Sequence, residues 1–577
     1  MGTLDRAAAA DTLAAQSQRG RLPLNFRLFP GALAAAALLA SALPAQAQST
    51  YEPVFTPESV RATVEFLADD LLEGRDTGSR GHEIAARYVA SRFAALGLKP
   101  GGDNGSWYQR ITFQQTSRAD TPGTLTVAGP RGASQSWKHG TDVIIGISAN
   151  ERHLDIAARL VFVGYGIANA RLGMDDYAGL NVKGKIVVVL RGVPKGLSSE
   201  VAAYVNATKA EAAQAHGAIG IVTIGTLQSM NERPWSSTVG AAGRPGFNWV
   251  DEAGMAFDRT PAIRTTASLN EPVVDAMFAD APKTVAAVRA MADKPGSRPR
   301  GFALKTKVRI QSDSVASRLS SPNVVAILPG SDPALKAEYV VLSAHLDHLG
   351  ISPPRLDDTA ETDRINNGAL DNAAGIATML EVARAAASAP VPPRRSIVFL
   401  ATTAEERGLL GADYYARHPT VPARAIVGNV DLDMPLLLYR FTDVTAFGAD
   451  HSSLGPIVAK AVAPMNIALS PDPFPQEGVF TRSDHYMFVR QGVPAVMLAT
   501  GFANGGDKQW AHFFSDVYHR PGDDLTQPID WLSGARFAEA NYRIMRAMAD
   551  ADAPPRWYAG DFFGDIFAAR AVKVVRP

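Results

Sequence analysis

The sequence predicts an α/β fold: a mixed central sheet with helices on both faces, plus an inserted, mainly β region. Three observations lead there. From Ser321 onward, apolar runs of strand length alternate with helical segments, the pattern of a sheet covered by helices. Between Ala157 and Gly225 a second group of short β-branched runs appears, with a different texture. And polar residues able to hold metal follow successive predicted strands, where open α/β sheets gather their ligands.

The first fifty residues read as an address. Arg19, Arg21 and Arg27 precede an apolar stretch from Leu28 to Leu43, and Ala45-Gln46-Ala47 has the small-x-small pattern of a signal-peptidase site. Pro30 and Gly31 interrupt a run already short for a membrane span. Residues 1–47 are therefore expected to be a signal peptide, leaving a periplasmic or secreted protein with no stable membrane span. The stretch before Arg19 is long for a signal, so the start codon could lie downstream.

Next, Pro57 to Leu98 reads as helical, with Val60, Val64, Leu67, Leu71 and Leu72 at helical spacing and a second helix from about Glu83 to Leu96. No chemistry is evident there. Leu160–Val163, Lys185–Leu190 and Ile219–Ile224 read as buried strands, and Thr208–His216 as an Ala-rich helix. Gly164-Tyr165-Gly166 lacks the third glycine of a nucleotide loop and reads as a turn. Asn231–Trp249 reads as a linker, with a lid as the rival reading. Tyr339–Ala344, Ser396–Ala401, Ala425–Val430 and Ala495–Leu498 are the later strands. Asp371–Ala387 is a long helix and Gly408–Arg417 another.

Bulk composition narrows the chemistry. The 577 residues are 46% hydrophobic and 20% charged, and 57 basic residues balance 57 acidic ones, so no net charge favours nucleic acid. Cysteine is absent, which excludes thiolate nucleophiles, zinc fingers and iron–sulfur clusters. Any metal must be held by His, Asp and Glu.

Those residues sit at strand ends: His345 and Asp347, then Asp371, Glu405 and Glu406, then Asp433, with His519 in a later loop. Each has an ordinary reading. His-x-Asp arises by chance, as in His153-Leu154-Asp155, which reads as solvated surface. Paired glutamates favour helix starts, and Asp371-Asn372 before an Ala-rich helix suits a cap. Their placement at successive strand ends is what favours a site. Imidazoles with several carboxylates suit zinc, with manganese or cobalt as substitutes. A carboxylate bridging two ions would hold them roughly 3.5–4 Å apart.

The segments Ser343-Ala344-His345-Leu346-Asp347-His348, Gly368–Gly375, Ala404–Gly411, Asp431-Leu432-Asp433-Met434, Ser483-Asp484-His485 and Tyr518–Asp523 resemble the M28 family of zinc peptidases. The region through Tyr177–Leu180, Lys183–Val189 and His216–Val222 resembles a protease-associated (PA) domain. The resemblance implies residues 48–150 and 301–552 as a split zinc-peptidase domain, 151–300 as the PA insert, and 553–577 as a tail. It implies two Zn2+ per chain. Asp371 would bridge them, with His345 and Asp433 on one and Glu406 and His519 on the other. Glu405 would be the general base and Tyr518 a stabiliser of the oxyanion. Asp347 would orient the His345 ring, and Arg482 would contact substrate. Asp433 occupies the family's Asp-Met position, but Asp431 shares its strand face and stays open. His485 is expected to be structural. Trp510, Phe513 and Phe514 are candidates for a side-chain pocket or for core.

The expected activity is that of an exported aminopeptidase acting on peptides with a free N-terminus. A carboxypeptidase or glutaminyl cyclase on the same fold, or a non-catalytic peptide binder, are the alternatives. Side-chain preference and oligomeric state are not legible.

Overall fold

The structure is a computed structural model and describes residues 52–577 apart from 241, 355–357 and 474. The segment read as an export signal lies outside the described residues. The described chain opens with helix α1 (Pro57–Leu67), capped by Thr56, with proline in its first turn. It buries Val60, Val64 and Leu67, the i, i+4, i+7 positions of one face. Helix α2 (Arg80–Ala95) follows, capped by Ser79. Between them Asp70–Arg75 is an irregular 3₁₀ segment in which Glu73 and Gly74 are left-handed. Leu71, expected on the apolar face, is 84% exposed there. Gly74 is required: a Cβ at this positive φ would stand 2.4 Å from the Asn366 carbonyl oxygen.

Strands β1 (Tyr108–Arg118), β2 (His153–Phe162), β3 (Ile186–Leu190), β4 (Gly220–Ile224) and β5 (Thr265–Leu269) come next, with helix α3 (Ser199–Ala207) between β3 and β4. Strand β6 (Phe302–Leu328) then runs 27 residues without a break. It belongs to two sheets. Its first part pairs antiparallel with β2, and its second part pairs antiparallel with β1. Beyond Asn323 it also pairs with the strand Ser396–Thr402.

The later strands are β7 (Tyr339–His345), β8 (Ser396–Thr402), β9 (Ile426–Asp431), β10 (Asp443–Phe447) and β11 (Ala495–Thr500). The second sheet has the order β1, β6, β8, β7, β9, β11, β10. Strands β8, β7, β9 and β11 are mutually parallel, and β6 and β10 flank them antiparallel. The parallel strands are almost wholly buried, so they read as unbroken apolar runs rather than alternating ones. Helices α4 (Ala374–Ala387) and α5 (Trp531–Ala549) pack with each other and with α1; Leu410–Arg417 and His485–Arg490 form a separate pair.

Two large cores result. One joins residues 60–98 to residues 324–568. The other runs from Leu125 to Ile310. In it β2, β3, β4 and β5 form a parallel run, so this inserted region is a mixed sheet with helices of its own. The segment read as a linker, Asn231–Trp249, contains a short helix at Trp235–Gly240, just after another at Leu227–Glu232. Near its end Trp249 is buried and donates from Nε1 to Asp413 Oδ2 at 3.0 Å. The residues expected as a tail also pack: Trp557 and Phe563 are buried in the first core.

Candidate metal centre

The parallel strands deliver the candidate residues to one end of the sheet. His345 is the last residue of β7, and β9 ends at Asp431, two residues before Asp433. Glu405 and Glu406 follow β8 through Ala404, whose φ is 58°. Asp371 does not open a helix, as expected from its spacing. Asp371 and Asn372 have non-helical backbone angles, their shared peptide bond is cis, and α4 starts at Ala374. Asn372 Oδ1 accepts from Gly375 N at 3.1 Å, so the cap is the asparagine. His519 comes from a turn after β11 and also has φ 58°.

Asp371 is central. Its Oδ1 lies 3.0 Å from His345 Nε2, and its Oδ2 lies 3.3 Å from His519 Nε2. On the first side Asp433 Oδ1 is 3.1 Å from His345 Nε2. On the second, Glu406 Oε2 is 3.3 Å from His519 Nε2. Asp431, left open by the sequence, turns away: Ser343 Oγ donates to it at 2.6 Å. Ser483 Oγ lies 2.8 Å from Asp431 and 2.6 Å from Asp433, tying the two acids together.

Four supporting residues were not singled out from the sequence. His348 is fully buried, with Nδ1 2.7 Å from Glu406 Oε1. Asp523 accepts from the amides of Leu370 and Asp371, both at 2.9 Å, and so holds the Asp371 backbone. Arg75 is buried and donates to the carbonyls of Leu346, Asn367 and Gly368. Thr77 donates to Asp347 Oδ2 at 3.2 Å. The stretch before α2 thus serves the centre, contrary to expectation. Only His348 and Asp523 carried a signal, since both lie inside the motifs quoted above.

Asp347 corrects another expectation. The atom facing His345 Nδ1 is its main-chain oxygen, at 3.0 Å, rather than its carboxylate. The carboxylate instead accepts from the Glu405 and Glu406 amides at 3.1 and 3.4 Å. His485 is buried 3.9 Å from Asp431 Oδ2 and packs on Phe480. His153 and Asp155 lie far from all this, on exposed positions of β2.

Burial would lower the His345 imidazole, but Asp433, Glu405 and Asp371 outweigh it and hold it well above its ordinary pKa. Burial would raise Asp371, but hydrogen bonding to His345 and His519 holds it well below. Glu405 is pushed well above the usual range by burial, then by Asp433 and Glu406. Burial and Asp371 lift Glu406 to about 8. Burial, then Asp371 and Glu406, raise Tyr518, keeping its hydroxyl protonated.

Do these residues fit a metal? His345, Asp371 and Asp433 offer ligand atoms within 4.8 Å of one another, as do His348, Asp371 and Glu406. His348 Nδ1 and Glu406 Oε1 are buried and in close contact, yet neither makes a hydrogen bond. Buried polar atoms are rarely left so; two that converge without sharing a proton suit a cation between them. The donors are nitrogen and carboxylate oxygen, a set that suits zinc.

A pocket lies over the centre, lined by Asp371, Glu405, Asp433, Arg482, Tyr518 and His519 among others. It adjoins a small apolar recess through Met434, Val479, Met497 and Phe514. Trp510 and Phe514 line that recess, whereas Phe513 is core. The Tyr518 ring stacks on His519 with centroids 3.7 Å apart.

Fold and site together define an α/β domain with a carboxylate–imidazole centre at the ends of its parallel strands. Residues 323–545 match the family model of peptidase family M28, and residues 156–246 match the PA domain. The chain thus carries a domain matching peptidase family M28 and a PA domain. Among curated relatives, a "Probable zinc metalloprotease" of Pyrenophora teres f. teres (strain 0-1) is 25% identical over 317 residues, 47% of this chain and 62% of the relative. A "Probable leucine aminopeptidase 2" of Aspergillus fumigatus is 26% identical over 229 residues, 37% of this chain and 42% of the relative. The chain thus spans under two thirds of the length of either. Among solved structures, an aminopeptidase from Aneurinibacillus sp. strain AM-1 aligns at 20% identity, covering 86% of this chain and 94% of that one, with a TM-score of 0.47. BSAP, a zinc aminopeptidase from Bacillus subtilis, aligns at 18% identity, 86% and 95% coverage and a TM-score of 0.40.

Proposed function

We propose that the protein is an exported zinc aminopeptidase with two metal ions and a glutamate general base. The observation that carries this reading is Asp371, whose two oxygens face two separate imidazole–carboxylate groups, one toward His345 and Asp433, the other toward His519 and Glu406. Two zinc ions held there would polarise the scissile carbonyl and acidify the attacking water.

The chain's own groups do the rest. Glu405 lines the pocket and, with its raised pKa, is matched to taking the water proton and returning it to the leaving amine. The Tyr518 hydroxyl, kept protonated, donates to the developing oxyanion. Arg482, half exposed at the pocket edge, contacts a substrate carbonyl. The apolar recess accepts the side chain of the N-terminal residue, and its lining favours an apolar one. The relative named as a leucine aminopeptidase agrees with that choice. Export rests on the Arg19–Ala47 segment, and sequencing the mature N-terminus tests it.

The test of the activity is release of free amino acid from matched unblocked and N-acetylated peptides, with and without a zinc chelator. Chelator-sensitive release from the unblocked set alone is expected. Release from acetylated peptides, or none from either set, would refute the aminopeptidase reading.

A further inference from the structure

We infer that the PA domain carries a second substrate-binding groove, which takes the peptide on the C-terminal side of the scissile bond and ends in a carboxylate site at Arg191. This rests on the peptidase reading above. The groove lies outside the carboxyl ends of the insert's parallel strands: Tyr165 comes shortly after β2, Arg191, Gly192 and Val193 follow β3, and Thr226 and Leu227 follow β4. That is where open α/β sheets bind ligands. Its facing wall is Glu477, Gly478, Thr481 and Arg482. The same stretch walls the metal centre, where Val479 and Arg482 stand beside Asp371 and Glu405. One segment therefore separates the two cavities, and Arg482 lines both.

The two spaces that adjoin the centre differ. The recess beyond Met434 and Phe514 is small and apolar, and suits one side chain. The groove is open and far larger. A peptide with its N-terminal side chain in the recess must leave the centre elsewhere, and Arg482 is the residue at which the centre's pocket borders the groove.

Charge names the far end. Lys195 is paired with Asp293 at 3.0 Å, and Arg482 faces Glu477 at 3.6 Å. Glu232 accepts from Gln228 at 2.7 Å. Arg191 differs from these. It is half-buried, and among the described residues no carboxylate pairs with it. The charge beside it is another cation, Arg233; burial first and that neighbour second lower its pKa. A partly desolvated guanidinium without a counter-charge is unfavourable, and its fork matches a carboxylate. A peptide substrate always brings one, at its C-terminus.

The test compares kcat/KM for unblocked Leu-first peptides of about two to eight residues, each as free acid and as C-terminal amide. A leucyl arylamide, which has no chain beyond the scissile bond, is the reference. At the length that reaches Arg191 the acid should exceed the amide by about tenfold, or ~1.4 kcal/mol, mainly through KM. Arg191→Gln should bring that ratio close to one, and Arg191→Lys should restore part of it. Arg233→Gln should lower it independently, which covers failure of the first variant to fold. Equal rates for acid and amide at every length, or an unchanged ratio in folded Arg191→Gln, would overturn the inference while arylamide cleavage continues. No cleavage of any substrate would overturn the peptidase reading, and this inference with it.

Discussion

Asp371 offers one oxygen to each half of the centre, so its loss should empty both. Asp371→Ala is expected to bind no stoichiometric zinc by elemental analysis; two full equivalents would rule out the bridge. Glu405 has a different part. Its carboxyl makes no hydrogen bond among the described residues, which leaves it free to exchange protons. Glu405→Gln should keep its metal and lose roughly a thousandfold in kcat, within the usual range of acid–base contributions. Near-normal turnover would remove it from that role. Asp523 acts at one remove, through the amides of Leu370 and Asp371. Asp523→Ala should weaken metal affinity about 10–100-fold, as lost supporting contacts do, measured by competition with a chelating dye. The seven candidates His345, Asp347, Asp371, Glu405, Glu406, Asp433 and His519 were legible because each is a polar, metal-capable residue type inside a quoted motif, most of them just after a strand. His348 and Asp523 were harder to see. They act on a neighbour that is near only in space.

The irregular segment between α1 and α2 has no periodicity to announce it. Its function lies in Arg75, which threads under the centre and ties Leu346, Asn367 and Gly368 together. Burial first, opposed by Asp523 and Asp347, brings this guanidinium to about 10. Arg75→Met removes the donors and leaves buried carbonyls unsatisfied, which costs about 1–3 kcal/mol per group. A fall in Tm together with weaker zinc binding is expected; a fall in Tm alone would make Arg75 a purely structural strut. Strand β6 was equally hidden. Its first part alternates and its last part is apolar, yet it is one strand spanning two sheets. Alternation marks where one face is solvated, and unbroken apolarity where both are covered. The change of pattern reports a change of surroundings within one strand.

Across the whole molecule, ionic contacts fasten the insert to the peptidase domain: Arg490 with Glu211 at 2.9 Å, Arg171 with Asp565, and a buried clasp at His451. His451 Nε2 meets Glu200 of α3 at 2.8 Å, and Nδ1 meets Asp561 at 2.7 Å. Phe480 and Phe563 pack on its ring. Burial would lower this imidazole, but hydrogen bonds to Asp561 and Glu200 raise it to about 9. A folded-state pKa above the unfolded value means stability that is complete below the ordinary histidine pKa and is lost as pH rises through about 9. The loss is on the order of 3 kcal/mol. Denaturation midpoints should fall over that range, and His451→Gln should flatten the dependence. An unchanged slope in the variant would show that another group sets it.

The sequence by itself determined the α/β class, the presence of an insert, and the residues that make up the centre. Strand patterning and side-chain chemistry are local properties, and a chain displays them one residue after another. Tertiary structure alone decided which of Asp431 and Asp433 faces His345. It also decided that a main-chain oxygen orients that ring, and that Arg75 and His348 support the site. The groove at Arg191 came from the fold as well. Each of these depends on distances between residues far apart in the chain, and those distances exist only once the parallel strands have lined up their ends and the insert has closed against them.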